Sequence, residues 1–234
     1  MDIVLVPGLW LDGTSWEAVV PLLEAAGHTA HPLTLPGLES RDTDRSAITL
    51  EDHVMAVVSA IDAAGGPVIL VGHSGGCGIA YGALDRRVDR VARAILIGGF
   101  PTADGDTLLA GFAAENGEVP LPDWSSFDDA DLGGLDQEAL ERFRRRAIPS
   151  PEHVVSGIQQ LGDERRYQVP VTAVATEYSS ADLQDWIAAE EPSVQEFTRF
   201  RYLTFVDLPT GHWPQFTRPE DLARTILAQP PLTS

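Results

Sequence analysis

A mostly parallel α/β sheet of about six strands, flanked by helices, is predicted by three features of this 234-residue chain. Short, wholly apolar runs alternate with segments of helical period, the pattern required when helices cover both faces of a parallel sheet. Glycine and proline punctuate nearly every changeover between the two. The composition, 44% hydrophobic and 22% charged, suits one large globular domain over residues 1–234 rather than two small ones.

The first apolar run, residues 3–6, leads through a glycine-containing loop to a helix expected over about 15–26 and stopped by Gly27. Residues 28–33 supply a second short strand, followed by the Leu35-Pro36-Gly37-Leu38 loop. Thr49 with Asp52 three residues on has the form of a capping box, and Leu50, Val54, Val57, Val58 and Ile61 repeat on one helical face. Gly65-Gly66 ends that helix, and Val68-Ile69-Leu70-Val71 reads as a buried central strand. A helix over about 76–84 and a strand at 94–97 follow. The alternation then lapses from about residue 100 to 167, an acidic stretch with one clear helix near 137–146. It carries Phe112, Trp124, Phe127 and Phe143, aromatics that call for burial, so it reads as a cap inserted over the sheet. A strand at 169–175, a helix near 182–189, a strand at 202–208 and a last helix opened by Thr217-Arg218-Pro219-Glu220 complete the order.

Charge and composition exclude several functions. Acidic residues outnumber basic ones 35 to 16, for a net charge of −19, which repels phosphate backbones and removes nucleic acid from the expected partners. Every basic residue is arginine. Without lysine, Schiff-base and pyridoxal-phosphate chemistry and Gly-Lys-Ser/Thr phosphate loops are ruled out. The single cysteine, Cys77, allows neither an internal disulfide nor a CxxC metal or redox pair. There is no charged leader and no apolar stretch of membrane length, so a cytoplasmic protein without membrane contact is expected. No metal or organic cofactor is called for.

The chemistry-bearing feature is Gly72-His73-Ser74-Gly75-Gly76, set directly between the 68–71 strand and a helix. A tight strand-to-helix turn there would project the Ser74 hydroxyl at the carboxyl end of the sheet, and only glycine tolerates the crowding on either side. Two backbone donors could hold a developing oxyanion: Gly75 N–H, after the serine, and Leu9 N–H, in the Val6-Pro7-Gly8-Leu9-Trp10 exit of the first strand. A general base must come late in the chain. Of the six histidines only His212, in Thr210-Gly211-His212-Trp213 after the last strand, is placed at that edge of the sheet. His73 adjoins the serine but is expected to point the other way, as a packing residue.

These residues together resemble the α/β-hydrolase fold family, and the resemblance runs over nearly the whole chain. Within that family it is similar to the compact serine esterases grouped with plant hydroxynitrile lyases and methyl-ester hydrolases. The resemblance implies a triad in the order serine, acid, histidine. In such relatives an aspartate follows the penultimate core strand, but here that stretch reads Ala175-Thr176-Glu177-Tyr178-Ser179, with Tyr178 at the expected position. Glu177 beside it is one candidate. Asp104, after the preceding strand, is the other, with Asp182, or no acid at all, as the lesser alternative. Trp10, Trp124 and Trp213 are candidates for the walls of a substrate pocket.

The function expected is serine hydrolysis of a small, largely neutral ester or lactone through an acyl-enzyme. Two alternatives stand beside it: a thioesterase on acyl-carrier or acyl-CoA substrates, for which Arg142, Arg144, Arg145 and Arg146 could supply a basic patch, and a non-catalytic ligand-binding protein on the same fold. A hydroxynitrile lyase is disfavoured because that branch uses a lysine. The sequence leaves the oligomeric state open.

Overall fold

Hydrophobic side chains that alternate between two faces of a strand must be covered on both, and this constraint organises the structure. The computed structural model describes residues 1–228. Strands β1 (Asp2–Val6), β2 (Thr29–Pro32), β3 (Val68–His73) and β4 (Val91–Ile97) precede an antiparallel pair, β5 (Glu118–Val119) and β6 (Ser150–Pro151). Then β7 (Val171–Ala175) and β8 (Leu203–Asp207) complete a six-stranded parallel sheet in the order β2-β1-β3-β4-β7-β8.

On one face Val4, Val6, Val68, Leu70, Leu96 and Ala173 pack against helices α2 (Leu50–Ala63) and α3 (Gly76–Arg86). On the other, Ile3, Leu5, Ile69, Val71, Ile95 and Ile97 meet α1 (Val20–Ala25) and the C-terminal helix. The one-residue alternation explains why β3 reads as unbroken apolar sequence, since both of its faces are buried.

Between β4 and β7 the chain leaves the sheet for residues 98–170. Besides the expected helix, α4 (Gln137–Arg146), this segment holds the β5–β6 pair and a short α5 (Glu152–Val155). Its return is fastened by a buried polar cluster. Arg166 donates to Tyr81 Oη at 2.9 Å and Asp85 at 3.1 Å, while Tyr81 and Tyr167 hydroxyls donate to Glu196 at 2.6 and 2.9 Å. Helix α6 (Ser180–Ala188) then follows β7, and α7 (Pro214–Thr217) and α8 (Pro219–Leu227) follow β8.

Prolines account for the main departures from expectation. The helix expected over 15–26 is split into a 3-10 turn, Gly13–Trp16, and α1, because Pro21 has no N–H to continue the ladder. Pro214 and Pro219 likewise start two short helices where one was expected. A 3-10 helix, Pro192–Arg199, was not foreseen. The Thr49–Asp52 capping box forms as expected.

His53, on the inner face of α2, is 2% exposed and donates Nε2–H to the Pro36 C=O at 2.8 Å. Burial pushes its pKa down to about 4. His73 is fully buried too, and burial together with the charge of His212 pushes it down to about 3. Both are neutral in the folded protein while their unfolded counterparts take up protons below the ordinary value near 6.5. Stability is therefore complete above that value and falls on acidification, by about 1.4 kcal/mol per pH unit for each histidine. Urea unfolding between pH 7 and 5 should show this slope, and His53→Gln should remove its own share. A His53→Gln slope equal to the wild-type one would contradict the assignment.

Candidate active site

Ser74 sits at φ +52°, in the left-handed region that a residue with a side chain enters only at a cost. The turn is held by its own main chain: Ser74 N–H donates to the Ile97 C=O and Cys77 N–H to the Ser74 C=O, both at 2.9 Å. It also needs room. A Cβ on Gly76 would fall 2.4 Å from the Pro7 carbonyl oxygen, so α3 can start against the β1 exit only with glycine there. The half-buried Ser74 side chain consequently stands at the carboxyl edge of the sheet.

His212 reaches this hydroxyl from the loop between β8 and α7, its Nε2 2.8 Å from Ser74 Oγ. Its main chain is gripped on both sides. His212 N–H donates to the Asp131 C=O in the 98–170 segment at 2.8 Å, and the His212 C=O accepts from His73 Nε2–H at 2.7 Å.

Of the three candidate carboxylates, one lies beside His212. Glu177 Oε1 lies 2.7 Å from His212 Nδ1, and Thr176 Oγ1–H donates to its second oxygen. Burial pushes the Glu177 carboxyl up, but the hydrogen bond and charge of His212, with the Thr176 hydroxyl, outweigh it and hold the group below its ordinary value. Asp104 is elsewhere: it is exposed and its Oδ1 accepts from Leu161 N–H at 2.8 Å. Asp182 caps α6, in a box with Ser179. Tyr178, at the position where an aspartate was expected, packs against Phe100 and Trp186 with ring centroids 5.9 and 5.1 Å away.

Leu9 and Gly75 flank the serine, and a Cβ on Gly75 would lie 3.3 Å from the Leu9 side chain. Among the described residues neither Leu9 N–H nor Gly75 N–H has a protein acceptor. The three tryptophans gather above the base. Trp213 is buried and edge-on to His212 at 5.0 Å, Trp124 is 6.2 Å from Trp213, and Trp10 joins them through Phe127. Trp10 also lines a cavity of about 240 Å³ with Leu11, Leu135, Phe143 and Phe216, to which neither Ser74 nor His212 contributes. Sequence reasoning gave His73 no part at this site, although its position beside Ser74 could have drawn attention to it. Among the described residues no group of three or more His, Cys, Asp or Glu is placed to hold a metal ion, and no helix is long and apolar enough to cross a membrane.

Comparison with known proteins places the fold in a family. A model of the alpha/beta hydrolase family matches residues 3–225, and the chain belongs to that family. It is 28% identical to a pyrethroid hydrolase of Sphingobium wenxiniae, over 96% of this chain and 86% of that one. It is 26% identical to a carbendazim hydrolyzing esterase of a Nocardioides species, over 97% and 98% respectively. Among solved structures, an extracellular alpha/beta-hydrolase from a Paenibacillus species shares the fold, with a TM-score of 0.78 and 20% identity over 97% of this chain and 98% of that one. The chain is thus a member of a hydrolase family whose similar proteins include esterases.

The two carboxylates make a direct test. Glu177→Gln, which keeps size but removes charge, should lower hydrolysis of p-nitrophenyl acetate by roughly 10⁴-fold. Asp104→Asn should change it less than about tenfold, as expected of a surface residue outside the reacting set. Equal effects of the two substitutions would remove Glu177 from the site.

Proposed function

We propose that this protein is a serine hydrolase of small, largely neutral carboxylic esters or lactones, working through an acyl-enzyme. One observation carries the reading: a continuous chain of hydrogen-bond contacts from Ser74 Oγ through His212 to Glu177, at 2.8 and 2.7 Å, beside two amides that lack an acceptor among the described residues.

The steps follow from these atoms. Ser74 Oγ attacks the ester carbonyl carbon while its proton passes to His212 Nε2. The negative charge arising on the carbonyl oxygen is met by Leu9 and Gly75 N–H, the latter at the positive end of α3. Glu177 stays ionised at neutral pH and holds Nδ1–H, fixing the tautomer and stabilising the imidazolium. Collapse of the tetrahedral intermediate breaks the bond to the alcohol oxygen, which leaves with the proton from Nε2. Water then gives a proton to Nε2 as its oxygen attacks the acyl carbon, and the acid departs as Ser74 regains its hydrogen.

A neutral substrate suits the surroundings. The walls near the base are aromatic, and the net charge of −19 disfavours anionic partners. The esterase named among the relatives is consistent with an ester bond. The carrier-thioesterase alternative would have to draw on arginines of α4 that already have partners. Arg142 and Arg145 pair with Glu138 and Glu141 at 3.7 and 3.9 Å, Arg146 pairs with Glu17 at 2.9 Å, and Arg144 donates to the Pro122 C=O.

A fluorophosphonate should label Ser74 alone, and Ser74→Ala should reduce ester turnover by on the order of 10⁶-fold. Mass spectrometry of the labelled peptide and a series of p-nitrophenyl esters of rising acyl length provide the measurements. Label on any other serine, or Ser74→Ala turnover near that of the wild type, would overturn the reading.

A further inference from the structure

The reaction scheme does not use His73, yet the structure places this side chain between the strand exit that carries Leu9 and the His212 loop. Its ring is 0% exposed. Nε2–H donates to the His212 C=O at 2.7 Å, and Gln215 Nε2–H donates to Nδ1 at 3.4 Å. A Cβ on Gly8, at the strand exit that carries Leu9, would lie 2.9 Å from both His73 Nδ1 and Ser74 Cβ. The Trp16 ring stands edge-on at 6.4 Å and closes another side.

The tautomer follows from hydrogen-bond chemistry. A carbonyl oxygen can only accept, so the nitrogen facing His212 carries the hydrogen, and a neutral imidazole then leaves Nδ1 as an acceptor. Gln215, itself fully buried, meets that acceptor with its amide nitrogen. Burial and the neighbouring His212 push the His73 pKa down to about 3, so no second cation faces the base. The base needs such support because His212 lies outside any helix or strand. Its own N–H and C=O are bonded to Asp131 and His73.

We infer that His73 is a positioning residue for hydrolysis: its Nε2–H, kept in one tautomer by Gln215, holds the His212 main chain so that Nε2 stays in reach of Ser74 Oγ. The inference rests on the serine-hydrolase reading. A displacement of about 1 Å at a reacting group can cost on the order of 10² in rate, which sets the expected effect.

The test compares His73→Phe, His73→Gln and Gln215→Met in the full chain, each checked for folding by circular dichroism and urea midpoint. His73→Phe keeps a buried ring without the donor and should lower kcat on p-nitrophenyl acetate by on the order of 10²-fold, with KM within about threefold. In His73→Gln an amide Nε2–H can take the place of the imidazole donor and should restore kcat to within about tenfold of wild type. Gln215→Met frees the tautomer, should give an intermediate loss, and should add nothing in combination with His73→Phe. A second readout needs no substrate: the low-field proton resonance of His212 Nδ1–H should disappear in His73→Phe and return in His73→Gln. A folded His73→Phe with wild-type kcat, or a glutamine variant as impaired as the phenylalanine one, overturns the inference. If the wild type neither turns over esters nor labels at Ser74, the serine-hydrolase reading is what fails. The resonance then decides the positioning role, since its persistence in His73→Phe overturns that role and its loss and rescue support it.

Discussion

Everything at the carboxyl edge of the sheet depends on one strained residue. Ser74, at φ +52°, lets the chain turn from β3 into α3 without an intervening loop. A side chain in that conformation costs roughly 1–2 kcal/mol, and the turn persists because the surrounding structure over-determines it. The strand before it is buried on both faces, the helix after it starts against the Pro7 carbonyl, and the serine N–H is bonded to β4. Three consequences follow from the one turn. The hydroxyl is presented to His212, the next amide is left without an acceptor among the described residues, and the preceding side chain is sent under His212. No looser connection would place all three at once.

The two histidines near the turn show how burial divides labour between identical side chains. His73 is sealed from water and cannot carry charge in the ordinary pH range, so it serves as a fixed neutral donor. His212 is partly open and has a carboxylate on one nitrogen and a hydroxyl on the other, the surroundings that the proposed hydrolysis requires of its base.

The parts legible in the sequence are those whose pattern is local. The alternation of apolar runs and helical segments gave the sheet and its helices, and the glycine-flanked serine gave the turn. His212 could be expected at the edge of the sheet near Ser74 because position after the last strand is a property of order along the chain. Which carboxylate faces His212 was ambiguous because that depends on how the chain leaves β7. There Tyr178 is drawn into the cluster with Phe100 and Trp186, so the residue one step earlier turns toward the base. Glutamate, with one more methylene than aspartate, spans that one-residue offset. The β5–β6 pair is two residues long on each side, too short to leave a period.

The segment between β4 and β7 is more than a cover. Asp131 accepts from the His212 N–H, Ser150 accepts from the Trp10 N–H beside Leu9, and Ile148 N–H donates to the Trp10 C=O. Trp10 Nε1–H donates to Val119 in β5, and the buried Arg45 of the core loop pairs with Glu118 next to it. The base loop and the strand exit that carries Leu9 are thus each tied by main-chain hydrogen bonds to the inserted chain. Neither has a regular secondary-structure ladder of its own to hold it. An insertion fastened this way contributes to the geometry of the site itself, and the sheet without it would present Ser74 but would lack the restraints on the groups that must meet it.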